Sequence, residues 1–556
     1  MKKWFVFSLV VMLVGVCVSC QLIYTRSAES QSEERLRVIH DRLSGGDYVF
    51  SVLPPTLKIN RIGIPPASSN ESLLEMHAAC GEAESLQFLI SNGGTEITQA
   101  IYSATPFVDE SGHSIAPELS VVGYVPVKKP TRRPYGFGLK GEFPDVVMPN
   151  RPFDVSPYHN QSLWFSVWVP EDAVPGIYRS QVTVSVPGMQ STTREVVLKV
   201  YPVAIPKFGK LKTCWVYNGT NTEKLHIGDY DEFTKLNLKY RFCVDKLVSN
   251  DCLPWNRVFT VDEAGKVTAD WTEFDQRMEY WRSLGKNTFC MYSPTWYKYK
   301  PIEEQIDVPL ERQKYALIAE HLRGKGWIED FYLYVFDEPF YFSVPAAKKI
   351  GKFYQEVMGH EAHLVLTANL PNMSSYVGYI NIFCPHIDHY KPSFMAERQA
   401  AGDHAWMYTC IGAVHTTYPD TWRLDSYGTS HRAVGWWLFK YKAEGYLYWG
   451  VNYWKVNPWK DTMTYPRGNG DGSMFYPDPE RKTLPWPAVR TEIVRDGFED
   501  YELLTMLREK YPCGSNVEAD KLLSCEGIIQ DTKHYNQLGD TDYIDAHRRI
   551  LELLAK

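Results

Sequence analysis

The chain has 556 residues, a formal net charge of −7 from 59 Lys and Arg against 66 Asp and Glu, and 14% aromatic residues. That length builds two or three domains with large cores and excludes a small disulfide-stapled scaffold. The mild acidity carries no basic stripe, so no nucleic-acid partner is expected, and the 17 Trp and 36 Tyr suit sugar faces as well as core.

In chain order, Lys2 and Lys3 precede an apolar stretch over 4–17 that is too short to span a bilayer comfortably. Val18-Ser19-Cys20 then resembles a bacterial lipoprotein cleavage site with Cys20 as the lipidated residue; an ordinary secretory signal is the alternative. Residues 1–20 are therefore expected to be a signal peptide and 21–38 a polar tether. The protein is expected to be an exported bacterial lipoprotein, periplasmic or outer-membrane associated, that meets the membrane through its N-terminal lipid only.

From 39 to 206 the chain runs in short alternating stretches, such as 85–90, 162–168 and 181–186, broken by Gly, Pro, Asn and Asp. This spacing predicts a β-sandwich. Residues 201–206 read as a stiff linker. From 207 to 510 the pattern becomes strand, loop, helix. Predicted strands lie at 212–217, 241–248, 287–292, 331–336, 363–368, 380–384, 404–409 and 446–450, with the clearest helices at 271–284, 310–323, 344–358 and 425–442. Eight strands with intervening helices predict a (β/α)8 barrel, and 511–556 reads as C-terminal helices. The predicted class is multidomain α+β: a β-sandwich, then a (β/α)8 barrel, then a helical segment.

Cysteines add little. Without Cys17 and Cys20, nine of the 11 remain. Cys214, Cys243, Cys290, Cys384 and Cys410 sit in apolar runs, where Cys behaves as a small hydrophobe, and Cys513 and Cys525 are candidates for pairing. No spacing resembles a zinc site, so no metal or other cofactor is expected.

The chemistry gathers at Phe331-Tyr-Leu-Tyr-Val-Phe-Asp-Glu-Pro339. An aromatic, β-branched strand ends in two acids at its carboxyl end, where barrel enzymes place their sites. Partial desolvation raises a carboxylate's pKa, and a second carboxylate beside it drives the two values apart. Strand alternation points Asp337 and Glu338 to opposite faces, so one site uses both only if the strand breaks there. Pro339 is expected to hold Glu338 extended and end the ladder. Ordinary retaining glycosidases need a separate carboxylate nucleophile. Among the later strand ends, Asp388 lies near the sixth and no acid stands out at the seventh or eighth, so the adjacent pair fits substrate-assisted hydrolysis better. There the sugar's 2-acetamido oxygen attacks the anomeric carbon, one acid steadies the acetamido nitrogen, and the other protonates the leaving oxygen and then activates water.

Several segments together resemble glycoside hydrolase family 123, the retaining β-N-acetylgalactosaminidases. They are Gly81-Glu-Ala-Glu-Ser-Leu-Gln87, Phe336-Asp-Glu-Pro339, Gly445-Tyr-Leu-Tyr-Trp-Gly-Val-Asn-Tyr-Trp454, Gly470-Asp-Gly472 and Arg495-Asp-Gly-Phe-Glu-Asp-Tyr501. The resemblance implies a sandwich before a (β/α)8 barrel, Asp337 as acetamide stabiliser and Glu338 as acid/base. It implies exo-acting release of terminal β-linked N-acetylgalactosamine from a glycan partner.

Around the pair, Trp449, Asn452 and Trp454 are placed at the barrel mouth, with Trp449 either a wall under the acetamido methyl or plain core. Asn369 ends a strand and either binds a hydroxyl or caps the next helix. Tyr408 is a candidate donor to the acetamido carbonyl, and Tyr292 and Trp296 are candidate platforms. The His386-x-Asp388-His389 cluster does not read as a metal site, because barrel metallohydrolases usually open with His-x-His after the first strand and here that strand ends Trp215-Val-Tyr-Asn218. His386 or Tyr390 is instead a candidate sugar contact. The charges of 495–501 are expected to tie their helix to the barrel. Two rival functions stay open: a β-N-acetylglucosaminidase of the same mechanism, and a non-catalytic glycan-binding lipoprotein.

Overall fold

The computed structural model describes residues 48–556 except 67–68, 132–139, 207–208, 219–228, 246–252, 254, 295–303, 305 and 412–416, together with Arg37, Val38 and Asp41. Cys20, the tether before Arg37 and Trp296 lie outside the described residues.

The N-terminal region is two facing antiparallel sheets. One runs in the order Tyr48–Leu53, Ala83–Asn92, Asn160–Trp168, Pro117–Val127, Gly141–Pro149. The other runs Glu75–Cys80, Thr192–Ala204, Gly176–Ser185, Ile97–Ala104, Phe153–Val155, with Glu75–Cys80 joining Thr192–Ala204 in parallel. Inward residues such as Phe88, Phe165, Val182 and Leu198 form the core between them. Strand Gly176–Ser185 alternates buried and exposed positions, as one wet face requires. Strand Asn160–Trp168 does not: it is buried almost throughout. Its second face also has a partner, because Trp164 packs with Val489 and Ile493 of the barrel's last helix.

The second region is a parallel barrel of seven strands: β1 (Lys212–Trp215), β2 (Phe289–Tyr292), β3 (Phe331–Phe336), β4 (His363–Ala368), β5 (Ile382–Pro385), β6 (His404–Tyr408) and β7 (Gly445–Tyr448). The order around the sheet is β1-β7-β6-β5-β4-β3-β2. The helices outside it are α1 (Tyr230–Lys239), α2 (Thr272–Ser283), α3 (Val308–Lys325), α4 (Val344–Met358), α5 (Pro392–Ala400), α6 (Thr429–Lys440) and α7 (Val489–Lys510). The strand expected at 241–248 is reduced, among the described residues, to a single parallel bridge from Val244 to Trp215. The next residue accounts for this. Asp245 Oδ1 takes the N–H of Tyr217 at 2.8 Å, a donor that a continuing strand's carbonyl would have taken. Among the described residues the barrel is therefore nearly closed, with seven strands and a bridge where eight strands were expected.

Cys214, Cys290, Tyr332, Tyr334, Val365, Cys384, Trp406 and Leu447 fill the barrel interior. Phe331, Leu333 and Val335 face the helices instead, which is the period of two expected of a strand. Helices α8 (Val517–Leu523) and α9 (Asp540–Leu554) fold back onto α7, and α9 also reaches the sandwich. Cys513 is exposed and Cys525 buried, both as free thiols. Among the described residues no helix is long and apolar enough to cross a membrane.

Candidate active site

Both acids reach one site because β3 breaks in two ways. Tyr334 pairs with Val365 and Phe336 with Leu366, so two residues of β3 oppose one of β4. This β-bulge turns Phe336 outward with Val335 and brings Asp337 inward. Glu338 then takes φ +43°, a left-handed conformation that is costly for a residue with a Cβ. The expectation that Pro339 would hold Glu338 extended is thus overturned. The Glu338 N–H is instead held by Thr367 Oγ1 at 3.2 Å, a tertiary bond that offsets the local preference.

The two carboxylates have different partners. Asp337 Oδ1 accepts from Tyr334 Oη at 2.7 Å and from Thr367 Oγ1 at 2.8 Å, while Oδ2 accepts no hydrogen bond among the described residues. Glu338 Oε1 accepts from Tyr408 Oη. Burial pushes Asp337 above the ordinary Asp range, and the bonds from Tyr334 and Thr367 pull against it. Burial also raises Glu338, the Asp337 charge raises it further, and the Tyr408 bond opposes both.

The pair opens into a cavity of about 430 Å³. Tyr292 and Tyr408 line it from strand ends, with Trp449, Tyr453 and Tyr465 from the long segment after β7. The Trp449 ring meets Tyr453 and Tyr465 edge-on, at centroid distances of 4.8 and 5.0 Å. A third carboxylate, Asp471, lies beside them. Its Oδ1 accepts from Trp449 Nε1 and Tyr448 Oη, both at 2.8 Å, and its Oδ2 from the Ile411 N–H at 3.2 Å. Burial pushes Asp471 up to about 6, against these donors. Gly472 has φ +79°, and a Cβ there would come within 2.5 Å of the Trp449 ring. The Gly470-Asp-Gly472 turn thus seats Trp449 by a hydrogen bond and by close approach.

Asp337, Glu338, Tyr292, Tyr408 and Trp449 therefore share one cavity. The remaining candidates sit around it. His386 is fully buried behind Tyr408, edge-on at 5.0 Å. Its Nε2 accepts from the Cys410 N–H at 3.2 Å and its Nδ1 lies 2.6 Å from Asp388, an arrangement that fixes the proton on Nδ1. Asp388 stays low because that histidine outweighs burial. Asn452 Oδ1 accepts from the Asn218 N–H at 2.9 Å, anchoring the post-β7 segment to the end of β1. Trp454 is buried in core and donates to Ser473 Oγ and Phe475 O. Tyr390 packs on Trp437 and donates to Tyr441 O, in the helical layer. Asn369 is half-buried just past β4.

Sequence reasoning left Tyr334, Thr367 and Asp471 without roles. Tyr334 and Thr367 are ordinary strand residues until β3 and β4 are paired. Asp471 stands in the Gly470-Asp-Gly472 motif, whose flanking glycines are the signal of a tight turn.

The catalytic-domain model of glycoside hydrolase 123 matches residues 256–507. No curated protein matches the chain. Among solved structures, a family 123 glycoside hydrolase from Clostridium perfringens, described in terms of glycolipid glycan hydrolysis, aligns over 91% of this chain and 98% of its own, at 15% identity and a TM-score of 0.66. A family 39 glycoside hydrolase from Bacteroides cellulosilyticus aligns over 72% of this chain and 80% of its own at 12% identity, with a TM-score of 0.31. A Bacteroides ovatus family 5 xyloglucanase covers 77% and 99% at 10% identity and 0.27. The matched segment carries Asp337, Glu338, Thr367, Tyr408, Trp449 and Asp471, so the residues of the candidate site lie within a segment that matches the glycoside hydrolase 123 catalytic domain.

Proposed function

We propose that the protein is an exo-acting retaining β-N-acetylgalactosaminidase that uses the substrate's own 2-acetamido group as nucleophile. The observation that carries this reading is the division between the acids. Asp337 has one oxygen fixed by two donors and the other open to the cavity, a geometry suited to accepting the acetamido N–H. Glu338, raised by burial and by its neighbour, is suited to hold a proton for the leaving oxygen. The acetamido oxygen bonds the anomeric carbon as the glycosidic bond breaks and Glu338 delivers its proton. Water, deprotonated by Glu338, then opens the oxazolinium with overall retention.

Asp471 is the other carboxylate in the cavity among the described residues, and an ordinary retaining mechanism would draw on it as nucleophile. Its oxygens already take three donors, which favours a role in seating Trp449. The cavity volume suits a terminal sugar better than an extended chain. The Clostridium perfringens relative is described with glycolipid glycans, and we carry that substrate class over as part of the proposal. The galacto preference and the lipid-anchored, exported setting rest on the sequence reading.

The test is release of nitrophenol from aryl β-N-acetylgalactosaminide and β-N-acetylglucosaminide, with a thiazoline mimic of the cyclised sugar as inhibitor. Turnover of the galacto substrate with strong thiazoline inhibition is expected. Preference for the gluco sugar would keep the mechanism and replace the specificity. Indifference to the thiazoline, with azide rescue of Asp471→Ala, would move the nucleophile to Asp471. No turnover, with glycan binding retained, would favour a binding lipoprotein.

A further inference from the structure

Far from the cavity, the sandwich and the C-terminal helix share a buried cluster of charge. Glu82 and Glu84 come from the Gly81-Glu-Ala-Glu segment, and His547 from α9. Around them stand Asp500, Asp496, Glu492 and Glu499 of α7, with Arg432, Arg495 and Arg241 as the cations. Arg432 pairs with Asp500 at 2.7 Å, Arg495 with Asp496 and Glu492, and Arg241 with Glu499 at 3.2 Å. Fully ionised, six carboxylates against three guanidinium groups and one imidazolium leave an excess of two negative charges. Low-dielectric surroundings make such an excess costly unless protons or a cation relieve it.

The geometry favours a cation. His547 Nε2 lies 3.6 Å from Glu82 Oε1 and 3.4 Å from Glu84 Oε1. These separations are too long for charge-assisted hydrogen bonds, which close to about 2.7–2.9 Å. They match the edge of a tetrahedral site, because two ligands about 2.0–2.1 Å from one zinc ion stand about 3.4 Å apart. The three candidate ligand atoms all lie within 4.8 Å of one another. Glu82 is 1% exposed. Its Oε2 is used by the Ala79 N–H, yet its Oε1, aimed at the imidazole, has no hydrogen-bond partner among the described residues. The carbonyl oxygen of His77 is a hydrogen-bond partner of Nε2 at 3.3 Å here and is the candidate for a fourth ligand. On the far side, His547 Nδ1 lies 3.1 Å from Asp500, the carboxylate–histidine support that orients metal-bound imidazoles. A cavity of about 20 Å³ lined by Glu84, His77 and His547 adjoins the cluster.

We propose that Glu82, Glu84 and His547, with the His77 carbonyl, bind a divalent first-row metal ion, zinc by its ligand set, as a closed structural site pinning α9 to the sandwich. Binding forms one metal–nitrogen bond and metal–oxygen bonds to the two carboxylates and the carbonyl, and releases the Nε2 proton to solvent. The site lies outside the catalytic cavity and does not depend on the proposed reaction.

The test uses the full mature chain carrying Cys513→Ser, which removes an exposed free thiol able to compete for zinc. Metal content after equilibration with Zn2+ and dialysis is expected to be one ion per chain. Glu84→Gln and His547→Gln are expected to lower the affinity by roughly 100-fold or more. Addition of Zn2+ to chelator-treated parent protein is expected to raise its Tm, and Co2+ to give the visible absorption of a four-coordinate site. If a substituted chain does not fold, the parent's metal content and its chelator response still decide. Protein that takes up no stoichiometric metal and melts alike with Zn2+ and with chelator would overturn the proposal in favour of a proton-relieved ion-pair network. Stoichiometric uptake that survives both substitutions would overturn it too.

Discussion

Tyr408 has one hydroxyl proton and two prospective acceptors, Glu338 Oε1 and the carbonyl of a bound acetamido group. In the structure it serves Glu338, and that bond holds the acid's pKa down against burial and the Asp337 charge. If the hydroxyl turns to substrate, the restraint is released and Glu338 keeps its proton more firmly when the leaving oxygen needs it. Tyr408→Phe removes the restraint permanently. The alkaline limb of kcat/KM, which in the proposed mechanism reports loss of the Glu338 proton, is expected to move to higher pH while the plateau falls by roughly 10–100-fold. A pH–rate profile of the variant checks both; an alkaline limb moved to lower pH contradicts the arrangement. Glu338→Gln is expected to lose most activity on poor leaving groups and much less on activated aryl glycosides, whereas Asp337→Asn loses it on both. A series of leaving groups separates the two, and equal losses throughout would count against the assigned roles.

At the scale of elements, the site depends on three local irregularities of the chain. The bulge in β3 turns Asp337 inward, the left-handed Glu338 follows it, and the Gly470-Asp-Gly472 turn seats Trp449. Thr367 on β4 ties the first two together, bonding Asp337 and the Glu338 N–H. Thr367→Val keeps the shape and removes both bonds. It is expected to lower kcat by about 10–100-fold with a stability loss of about 1–3 kcal/mol, measured by kinetics and by denaturant unfolding. In the post-β7 turn, Gly472→Ala adds a Cβ at positive φ against the Trp449 ring. Raised KM with smaller change in kcat is expected if Trp449 lines the sugar subsite, and unchanged KM would place that ring outside it.

Across the whole molecule, the sandwich is a structural partner of the barrel and not a loosely tethered module. Arg490 of α7 holds Asp145 of strand Gly141–Pro149 through Nε and Nη2, with both side chains fully buried, and also donates to the carbonyls of Trp422, Gly470 and Ser473. The carbonyls of Gly470 and Ser473 belong to the segment that seats Trp449, so this interface also supports the cavity wall. The charges of 495–501, expected to bind their helix to the barrel, reach further: Arg495 donates to Ser85 in the sandwich and Asp500 meets His547 of α9. Breaking a buried pair leaves an uncompensated charge, so Asp145→Asn is expected to cost about 3–5 kcal/mol and to lower activity through the Gly470 turn. Thermal unfolding together with KM checks this; an unchanged Tm would mean that water reaches the pair.

The sequence by itself determined the two kinds of region, the strand that ends in Asp337 and Glu338, and most of the barrel helices, because those follow from local periodicity of two and 3.6 residues. It also carried the motifs on which the resemblance to glycoside hydrolase family 123 rests. Only the tertiary structure decided that the described part of 241–248 contributes a single bridge, since Asp245 takes a hydrogen bond from Tyr217 that local pattern does not encode. It also decided how two adjacent acids share one cavity: the bulge exists only when β3 is paired with β4, and the strained Glu338 is held by a threonine 29 residues away. The same holds for Tyr334, Thr367 and Asp471, and for His547 beside Glu82 and Glu84. Their chemistry comes from burial and from partners distant in the chain, which no window of sequence contains.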